Sequence, residues 1–444
     1  MFSEIKTATS LMGVATATES RSGERDIYVR SHWGMTWGMA HRSWLSPDRK
    51  WVLISEMDSV GWGPCRVVPF DGSSGGEAVG PKPARCTYAS WSPDGRTMYF
   101  SADAGDGYHI WRQDFPNGSP KQLTSGPTEE EGIAVSTDGR SLITCAGIRE
   151  STVWLHDSHG DRQISGEGYA SVPGMGLGGG GGTHSLFSPD AKRLFYLVRR
   201  EGSREFTSGE LWMADLDTGK NEVVLPGILM DEFYIAPDGD RVIFRALDTQ
   251  EISHVWIASL EHRTPPQQLS ASPSYAISPG PGGEVYFRAR EGGQEFQYGI
   301  GPNETVPRKI FAEPANGFIS PQGDWSFTRD DGIIAQPTRG GLPIRICPSC
   351  EIGWGPNGKF LYVRFRDIGE QGGGKTLAFE LPPGKELLAL PPSGLKSAEA
   401  AKGLKVAAEI DMSGKGVFAP GPDPSIYAYT RLTVQRNLYR IPLN

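Results

Sequence analysis

Apolar and polar positions along this chain fall into short runs of strand length. Segments such as residues 97–100 and 359–363 are rich in aromatic and β-branched side chains and span only four or five residues. This pattern is typical of half-buried β-strands. The repeating units lack the i, i+3, i+4 apolar spacing of amphipathic helices. The pattern therefore predicts an all-β protein.

A tetrapeptide related to Ser-Pro-Asp-Gly precedes many of these strands. In such a turn proline sets φ at the first corner, aspartate bonds back to the backbone, and glycine accepts a positive φ. Nine copies occur, beginning at Ser46, Ser92, Ser136, Ser188, Ala236, Ser278, Ser320, Gly355 and Ala419. Their spacings are 46, 44, 52, 48, 42, 42, 35 and 64 residues. Most of these match a four-stranded blade of about 40–50 residues.

Further strands follow several of the predicted hairpins. A third strand with a central tryptophan is predicted at residues 109–112, 152–157, 210–215 and 254–258, and a short fourth strand at 121–124, 162–165 and 267–270. Four antiparallel strands form one propeller blade. We therefore predict a β-propeller with eight blades, within a range of seven to nine that the 35- and 64-residue spacings leave open.

The ends of the chain suggest its organisation. Residues 1–42 hold strands expected to complete a blade, residues 43–380 hold the blades, residues 381–416 form an insertion with a short helix, and residues 417–444 form a C-terminal partial blade. Half-blades at the two ends of a propeller can pair with each other and hide their edges.

The turn, the aromatic strand after it and the Ile/Val-Trp strand resemble the WD40-like repeat of TolB-type propellers. That repeat also occurs in tricorn and in the N-terminal propellers of dipeptidyl and prolyl peptidases. The resemblance covers residues 25–444 and implies the fold more strongly than a function. Segments 23–29, 39–43, 128–132 and 434–442 are further similar to the C-terminal propeller region of acidobacterial serine/threonine protein kinases. That resemblance implies the sensor or scaffold part of a receptor kinase.

Charge and hydropathy narrow the classes of partner. The net charge of −8 and the absence of a Lys/Arg cluster argue against nucleic acid. No apolar run reaches the ~18 residues of a membrane span, so we expect no membrane insertion by this chain. The first residues lack a basic leader followed by an apolar region. The expected location is cytoplasmic as written, or extracytoplasmic if the chain belongs to a membrane-anchored receptor kinase.

Two glycine motifs resemble catalytic signatures. Residues 72–76 match the G-x-S-x-G nucleophile elbow, which needs a helix after the serine. Residues 174–179 match G-x-G-x-x-G, which must open a helix to hold phosphates. Both motifs precede predicted strands, so we interpret them as loops. Nothing in the chain matches a kinase lysine strand or an HRD loop.

Four of the five cysteines suggest two local pairs. Cys347 and Cys350 have the spacing of half a zinc site, but no second pair of ligands follows. We therefore favour a disulfide or two unlinked thiols at Cys347 and Cys350 over half of a metal site. Cys65 and Cys86 lie on consecutive predicted strands and are expected to pair if the protein matures outside the cytoplasm. No cofactor is expected.

Four residues are candidates for ligand contact in a central funnel. His41 and His184 lie just before motif turns, where propeller strands approach the channel, and Trp44 and Trp91 are the aromatic candidates. No active site is complete, so we expect a non-catalytic propeller that recognises a protein or small-molecule ligand at its face. The alternatives are a propeller enzyme with a channel active site, either a peptidase-like hydrolase or a carbohydrate lyase, and a TolB-like protein-interaction scaffold.

Overall fold

A computed structural model describes most of the chain. The described residues are 39–57, 62–166, 185–199, 208–250, 252–261, 264–315, 317–330, 332–365, 374–391 and 393–443. His184, the glycine-rich segment 174–182 and the N-terminal strands predicted within residues 1–38 therefore lie outside the described residues.

The described residues form eight antiparallel sheets, here named A to H, which confirms the predicted all-β propeller architecture. Sheet A contains β1 (Met39–Leu45), β2 (Trp51–Met57), β3 (Cys65–Pro69) and β4 (Glu77–Val79). Sheet B contains β5 (Arg85–Trp91), β6 (Thr97–Asp103), β7 (Tyr108–Asp114) and β8 (Lys121–Gln122). Sheet C contains β9 (Glu129–Val135), β10 (Ser141–Asp157), β11 (Gly160–Gln163), β33 (Phe418–Pro420) and β34 (Tyr427–Pro442).

The remaining five sheets follow one another along the chain. Sheet D contains β12 (Ser185–Phe187), β13 (Arg193–Val198), β14 (Gly209–Asp215), β15 (Asn221–Val223) and β16 (Leu229–Met230). Sheet E contains β17 (Glu232–Ile235), β18 (Arg241–Leu247), β19 (Ser253–Ser259) and β20 (Gln267–Gln268). Sheet F contains β21 (Ser274–Pro279), β22 (Val285–Glu291), β23 (Gln294–Ile300) and β24 (Arg308–Lys309), with a short 3₁₀ helix at Pro281–Gly283.

Sheet G contains β25 (Phe318–Ile319), β26 (Trp325–Asp330), β27 (Gly332–Pro337) and β28 (Ile344–Cys347). Sheet H contains β29 (Cys350–Trp354), β30 (Phe360–Phe365), β31 (Lys375–Glu380) and β32 (Val406–Asp411). A 3₁₀ helix at Ala400–Gly403 lies in the predicted insertion, between the third and fourth strands of sheet H. Among the described residues, no helix is long and apolar enough to cross a membrane.

Sheet C joins two blade-like units through two long strands. The first half of β10 pairs with β9 on one side and with the end of β34 on the other. The second half of β10 pairs with the start of β34, whose other edge carries β33, while β11 follows β10. The C-terminal half-blade is therefore completed by β10 and β11. Nine motif turns and eight sheets are consistent, because two of the nine units share sheet C.

Six blade-like units close into a ring: sheets D to H and the part of sheet C built from β33, the start of β34, the end of β10, and β11. Apolar side chains of adjacent sheets share core clusters between D and E, E and F, G and H, H and C, and C and D. Sheets F and G are joined by a buried hydrogen bond from Ser326 Oγ to Gln297 Oε1 (2.9 Å). Burial of these facing sheet surfaces is the main force that holds the ring.

The other three units form an arm beside the ring. Sheets A and B share a core that includes Leu53, Val67, Met98 and Phe100. Sheet B then packs against the β9 side of sheet C through Tyr99, Ile110, Ile133 and Leu142. A disulfide joins β3 to β5 between Cys65 and Cys86, as the sequence suggested. The two long strands β10 and β34 pair along their whole length, so that one half of the pair belongs to this arm and the other half to the ring.

Candidate functional site

A central channel lies at the turn end of the ring. It encloses about 470 Å³ and is lined by the innermost strands and motif turns of sheets D, E, F, G, H and C. Each innermost strand is followed by a Ser-Pro-Asp-Gly-like turn, so the repeat places the turns side by side around the opening.

The channel wall carries no charged side chain and no histidine among the described residues. Its apolar members include Leu186, Tyr234, Ile319, Trp354 and Phe418. The polar side chains are Ser185, Ser278, Gln322 and Asn357. Every ring blade also contributes at least one proline, which together form a collar: Pro189, Pro237, Pro279, Pro281, Pro321, Pro356 and Pro420. Such a wall favours an uncharged ligand with apolar or aromatic groups.

Turns that retain both serine and aspartate share one hydrogen-bond arrangement. Ser188 Oγ donates to Asp190 Oδ1 at 2.5 Å, and the backbone N–H of Lys192 donates to the same oxygen at 3.2 Å. These bonds lower the pKa of Asp190, the serine bond most. The turns beginning at Ser46, Ser92 and Ser136 repeat the arrangement with serine-to-aspartate distances of 2.6 Å.

Most turns around the channel depart from this arrangement. Sheet E has Ala236 in place of serine, and sheet F has Gly280 in place of aspartate. Ser278 Oγ is consequently buried without a hydrogen-bond partner in the described structure. In sheet H, Asn357 Oδ1 accepts from the Lys359 N–H at 3.0 Å, while its amide donates to Pro422 O at 3.0 Å. The turns of sheets D and E keep Asp190 and Asp238, but neither aspartate lines the channel, so the described channel wall has no carboxylate.

A second cavity of about 350 Å³ adjoins the channel between sheets G and H. Trp354 lies in the walls of both cavities. Its indole N–H donates to Glu386 O at 3.0 Å, and its ring contacts Phe327 edge-on at 5.3 Å. These contacts hold Trp354 in place beside the channel. Burial raises the pKa of the Glu386 carboxyl above its usual value.

The described funnel candidates lie in the arm and do not line the channel. Trp91 is buried in the shared core of sheets A and B, and its indole N–H donates to Trp44 O at 3.1 Å. Trp44 is half-buried against the Tyr88 ring at 4.7 Å. The ring is built from sheets C to H. The turns of sheets A and B, which lie close to Trp44 and Trp91, therefore do not reach the channel. His184 lies outside the described residues.

His41 belongs to a separate aromatic cluster on the arm. Its ring lies 5.0 Å from that of Trp62, and the register of β1 with β2 shifts between Ala40 and Arg42. The Arg42 guanidinium lies over the rings of both Trp62 and Tyr88, at 5.9 and 5.4 Å. Its Nη1 donates to Thr87 O at 2.9 Å. Ligand contact by His41, His184, Trp44 or Trp91 stays a prediction.

Two histidines that flank tryptophan strands are buried. His109 Nδ1 lies 2.9 Å from Glu130 Oε2, and Thr124 Oγ1 donates to the same oxygen at 2.7 Å. His254 Nε2 lies 3.1 Å from Asp248 Oδ2. Asp248 lies in the loop before the strand of His254, whereas Glu130 belongs to β9 of the neighbouring sheet C. Neither histidine lines the channel.

The remaining predicted motifs have structural roles. Cys347 and Cys350 form a disulfide between β28 and β29, which links sheets G and H. Cys145 is the free cysteine among the described residues. The G-x-S-x-G segment at residues 72–76 is an exposed turn between β3 and β4 with no helix after it. No cluster of three or more metal-ligating side chains occurs in the described ranges.

The sequence analysis missed most channel residues. Five of the six turns around the opening lack serine or aspartate, and the turn beginning at Ser188 keeps both. The high glycine and proline content of these turns, as in residues 278–283 and 355–358, is the sequence feature that could have identified them as channel residues. Only ring closure shows which turns face one another.

Comparison with known proteins gives partial matches. No protein-family model matches the chain. Dipeptidyl-peptidase 5 of Porphyromonas gingivalis is 25% identical over 226 residues, a match that covers 49% of this chain and 32% of the peptidase. TolB from Acinetobacter baumannii has 15% identity and a TM-score of 0.38, covering 63% of this chain and 75% of TolB. Oligogalacturonate lyase from Vibrio parahaemolyticus has 13% identity and a TM-score of 0.38. That match covers 78% of this chain and 99% of the lyase. The chain thus spans about a third of the length of the curated relative it matches.

Proposed function

We propose that the ring is a non-catalytic recognition module. It holds an uncharged apolar or aromatic part of a protein or small-molecule ligand in the central channel. The observation behind this proposal is the channel wall itself, which six blades build without a charged side chain or a histidine among the described residues. Burial of apolar ligand surface would supply the affinity, and the few polar side chains would orient the ligand.

A recognition role is also consistent with the placement of the charged groups. General acid–base catalysis needs titratable side chains within hydrogen-bond reach of the substrate. The described histidine nearest a carboxylate is His156, whose Nδ1 lies 2.7 Å from Asp161 Oδ1 and which does not line the channel, while His109 and His254 are buried in strands β7 and β19. The finer hypothesis is that the propeller is the sensor or scaffold part of a receptor-kinase-like protein. It rests on the sequence resemblance of residues 23–29, 39–43, 128–132 and 434–442.

A binding experiment tests this proposal. Peptides of 12 residues are selected from a random library against the full chain, and their affinities are measured by calorimetry. We expect selected peptides to be poor in charged residues and rich in aromatic residues or proline. Leu186→Asp introduces a charge into the channel wall and is expected to weaken binding at least tenfold. Leu342→Asp is the matched control, because Leu342 is almost fully exposed and away from the channel.

Two outcomes would contradict the recognition proposal. Peptides that bind Leu186→Asp as tightly as the unmodified chain would show that the channel is not the site. A charged consensus would be incompatible with the channel wall.

A propeller enzyme is the second candidate, supported by the partial match to a dipeptidyl peptidase. Chromogenic dipeptide substrates and oligogalacturonate provide the assay. Turnover that a single substitution abolishes would favour this candidate over the recognition module.

A further inference from the structure

The insertion of sheet H builds part of the second cavity. Residues 381–386 follow β31 directly, and all of them line this cavity of about 350 Å³. The channel and the second cavity also share wall residues, namely Pro321, Gln322, Trp354, Asn357 and Gly358. One ligand can therefore contact both cavities at once.

Two anchors fix the backbone position of Lys385 in this wall. Its N–H donates to Pro382 O at 3.0 Å, which closes a tight turn. The next residue, Glu386, accepts hydrogen bonds from Ser320 Oγ at 2.5 Å and from the Gln322 N–H at 2.5 Å. Hydrogen bonds thus hold the chain on both sides of Lys385, so a fixed backbone presents this lysine to the cavity.

Lys385 is the cation of this wall that forms no ion pair with a described residue. The wall holds two lysines and two glutamates. Lys359 Nζ lies 3.4 Å from Glu380 Oε1, and the Glu386 oxygens accept from the Ser320 turn. Lys385 is exposed and has no carboxylate partner in the described part of the chain. A cationic ligand would find both carboxylates engaged, whereas an anion would find the Lys385 ammonium available.

Gln322 and Trp354 lie where the two cavities meet. Gln322 is exposed, and its side-chain amide can donate a hydrogen bond to an anionic oxygen. The Trp354 indole N–H already donates to Glu386 O at 3.0 Å, so the ring offers its apolar surface to a ligand. The shared wall therefore suits a ligand that is apolar on the channel side and anionic on the side of Lys385.

We propose that the ligand is an amphiphilic anion, with an uncharged aromatic body in the channel and a carboxylate or similar head at Lys385. This inference rests on the proposed recognition function and adds the anionic head to it. The head belongs in the second cavity, because burial of a charge against the uncharged channel wall has a large desolvation cost. Two sources share this chemistry: a free aromatic acid, and a peptide whose aromatic last residue carries the terminal carboxylate.

Two matched dyes test for the anionic head. Anilinonaphthalene sulfonate and N-phenylnaphthylamine share one aromatic body, and only the first carries a sulfonate. Both become fluorescent when they leave water, so titration with the full chain measures each dissociation constant. We expect Lys385→Gln to weaken binding of the sulfonate about fivefold to tenfold, and to change the affinity of the neutral dye by less than about twofold.

Three controls separate the ammonium from other effects. Lys385→Arg keeps the positive charge and should keep the sulfonate affinity within about twofold. Lys121→Gln removes an exposed lysine of sheet B that lines neither cavity, and should leave both affinities unchanged. Sodium chloride at ~0.5 M should weaken sulfonate binding to the unmodified chain more than to Lys385→Gln. Far-UV circular dichroism and thermal unfolding check that the variants fold alike.

Competition against the bound sulfonate identifies the source of the ligand. Naphthoate represents a free aromatic acid, and the tetrapeptide Gly-Gly-Ala-Phe, with a free or an amidated C-terminus, represents a peptide end. Displacement by the free-acid peptide at lower concentration than by its amide would assign the site to peptide termini. Displacement by naphthoate alone would assign it to small aromatic acids. Both results support the anionic head.

Equal weakening of both dyes by Lys385→Gln, or of neither, would overturn this inference. The channel itself is tested separately by Leu186→Asp, which should weaken binding of the neutral dye about tenfold or more. A neutral dye that is insensitive to Leu186→Asp would contradict the channel as the binding site, whatever the sulfonate does. Absence of binding of either dye at ~100 μM of the chain would overturn both proposals.

Discussion

Glu386 supplies to the Ser320 turn the carboxylate that the turn's own sequence lacks. Where other copies of the repeat have aspartate, this turn has Gln322. Ser320 Oγ donates to Glu386 Oε2 at 2.5 Å, and the Asp324 N–H donates to the same oxygen at 3.3 Å. In the sheet B turn, Asp94 Oδ1 accepts from Ser92 Oγ and from the Arg96 N–H in the same way. A residue 66 positions away thereby restores the repeat's hydrogen bonds.

Removal of this carboxylate is expected to destabilise sheets G and H. Glu386→Ala leaves the buried Ser320 hydroxyl and the turn N–H groups without their acceptor, at a cost of about 2–3 kcal/mol. Urea unfolding measures the loss. Glu380→Ala is the control, because Glu380 is half-exposed and its ion pair with Lys359 is a surface contact.

A second substitution distinguishes turn chemistry from packing. Gln322→Asp in the Glu386→Ala background restores a carboxylate within the turn itself, as in the copies at Asp94 and Asp190. We expect it to recover at least half of the lost free energy of unfolding. If Gln322→Asp gives no recovery, the cost of Glu386→Ala comes from the packing of the insertion and not from the turn bonds.

Glu232 is expected to make stability depend on pH near neutrality. It is fully buried at the start of β17, which raises its pKa to about 7. Arg245 favours the charged form but also forms a bidentate pair with Asp231, at 2.7 and 2.6 Å. A raised pKa in the folded state contributes stability below the unfolded pKa of about 4.5, and this contribution is lost as the pH rises through 7.

Glu232→Gln removes that titration. The unmodified chain is expected to lose roughly 2–3 kcal/mol from this group between pH 5 and 8, and the variant is expected to lose less. Urea unfolding at both pH values measures the difference. Glu77→Gln, at an exposed position, is the control. Equal pH slopes for the Glu232→Gln variant and the unmodified chain would contradict the role of Glu232.

Gly147 is expected to be essential for the pairing of β10 with β34. A Cβ at this position would lie 1.9 Å from the Gln435 carbonyl oxygen and 2.6 Å from Arg436 Cα. Gly147→Ala must therefore separate the two strands, with a cost of about 1–3 kcal/mol. Hydrogen exchange detects this separation of the strands as faster exchange of the backbone amides in residues 141–148 and 435–442. Gly403→Ala is the control, since no atom lies within 4 Å of a Cβ there, and unchanged exchange in Gly147→Ala would contradict the close approach.

The two disulfides are expected to differ in their contribution to stability. Cys65 and Cys86 are 21 residues apart, and Cys347 and Cys350 only 3. A longer loop restricts the unfolded chain more, so loss of the first pair should cost about 3 kcal/mol and loss of the second less. Double alanine variants with urea unfolding measure both. Thiol titration of the unfolded, unreduced chain should find one reactive cysteine, Cys145, and five would contradict the pairing.

The sequence alone determined the features that depend on neighbours within about 50 residues. The motif turns, the hairpins after them, the tryptophan strands and the short fourth strands were predicted because proline, glycine and alternating apolar side chains act through local backbone geometry. The close spacing of Cys347 and Cys350 left open a disulfide or two unlinked thiols, and pairing of Cys65 with Cys86 was expected only if the protein matures outside the cytoplasm.

The tertiary structure alone decided which turns surround the channel. Ring closure pairs Trp154 of β10 with Tyr429 of β34. These two strands are so far apart in sequence that no local pattern predicts their contact. Ring closure also leaves Trp44 and Trp91 in the arm and places five turns that lack serine or aspartate around the opening, beside the Ser188 turn. The Glu386 contact with Ser320 and the pairing of residues 431–442 of β34 with β10 have the same origin. Both depend on which sheets become neighbours, and burial of apolar faces across the whole chain decides that.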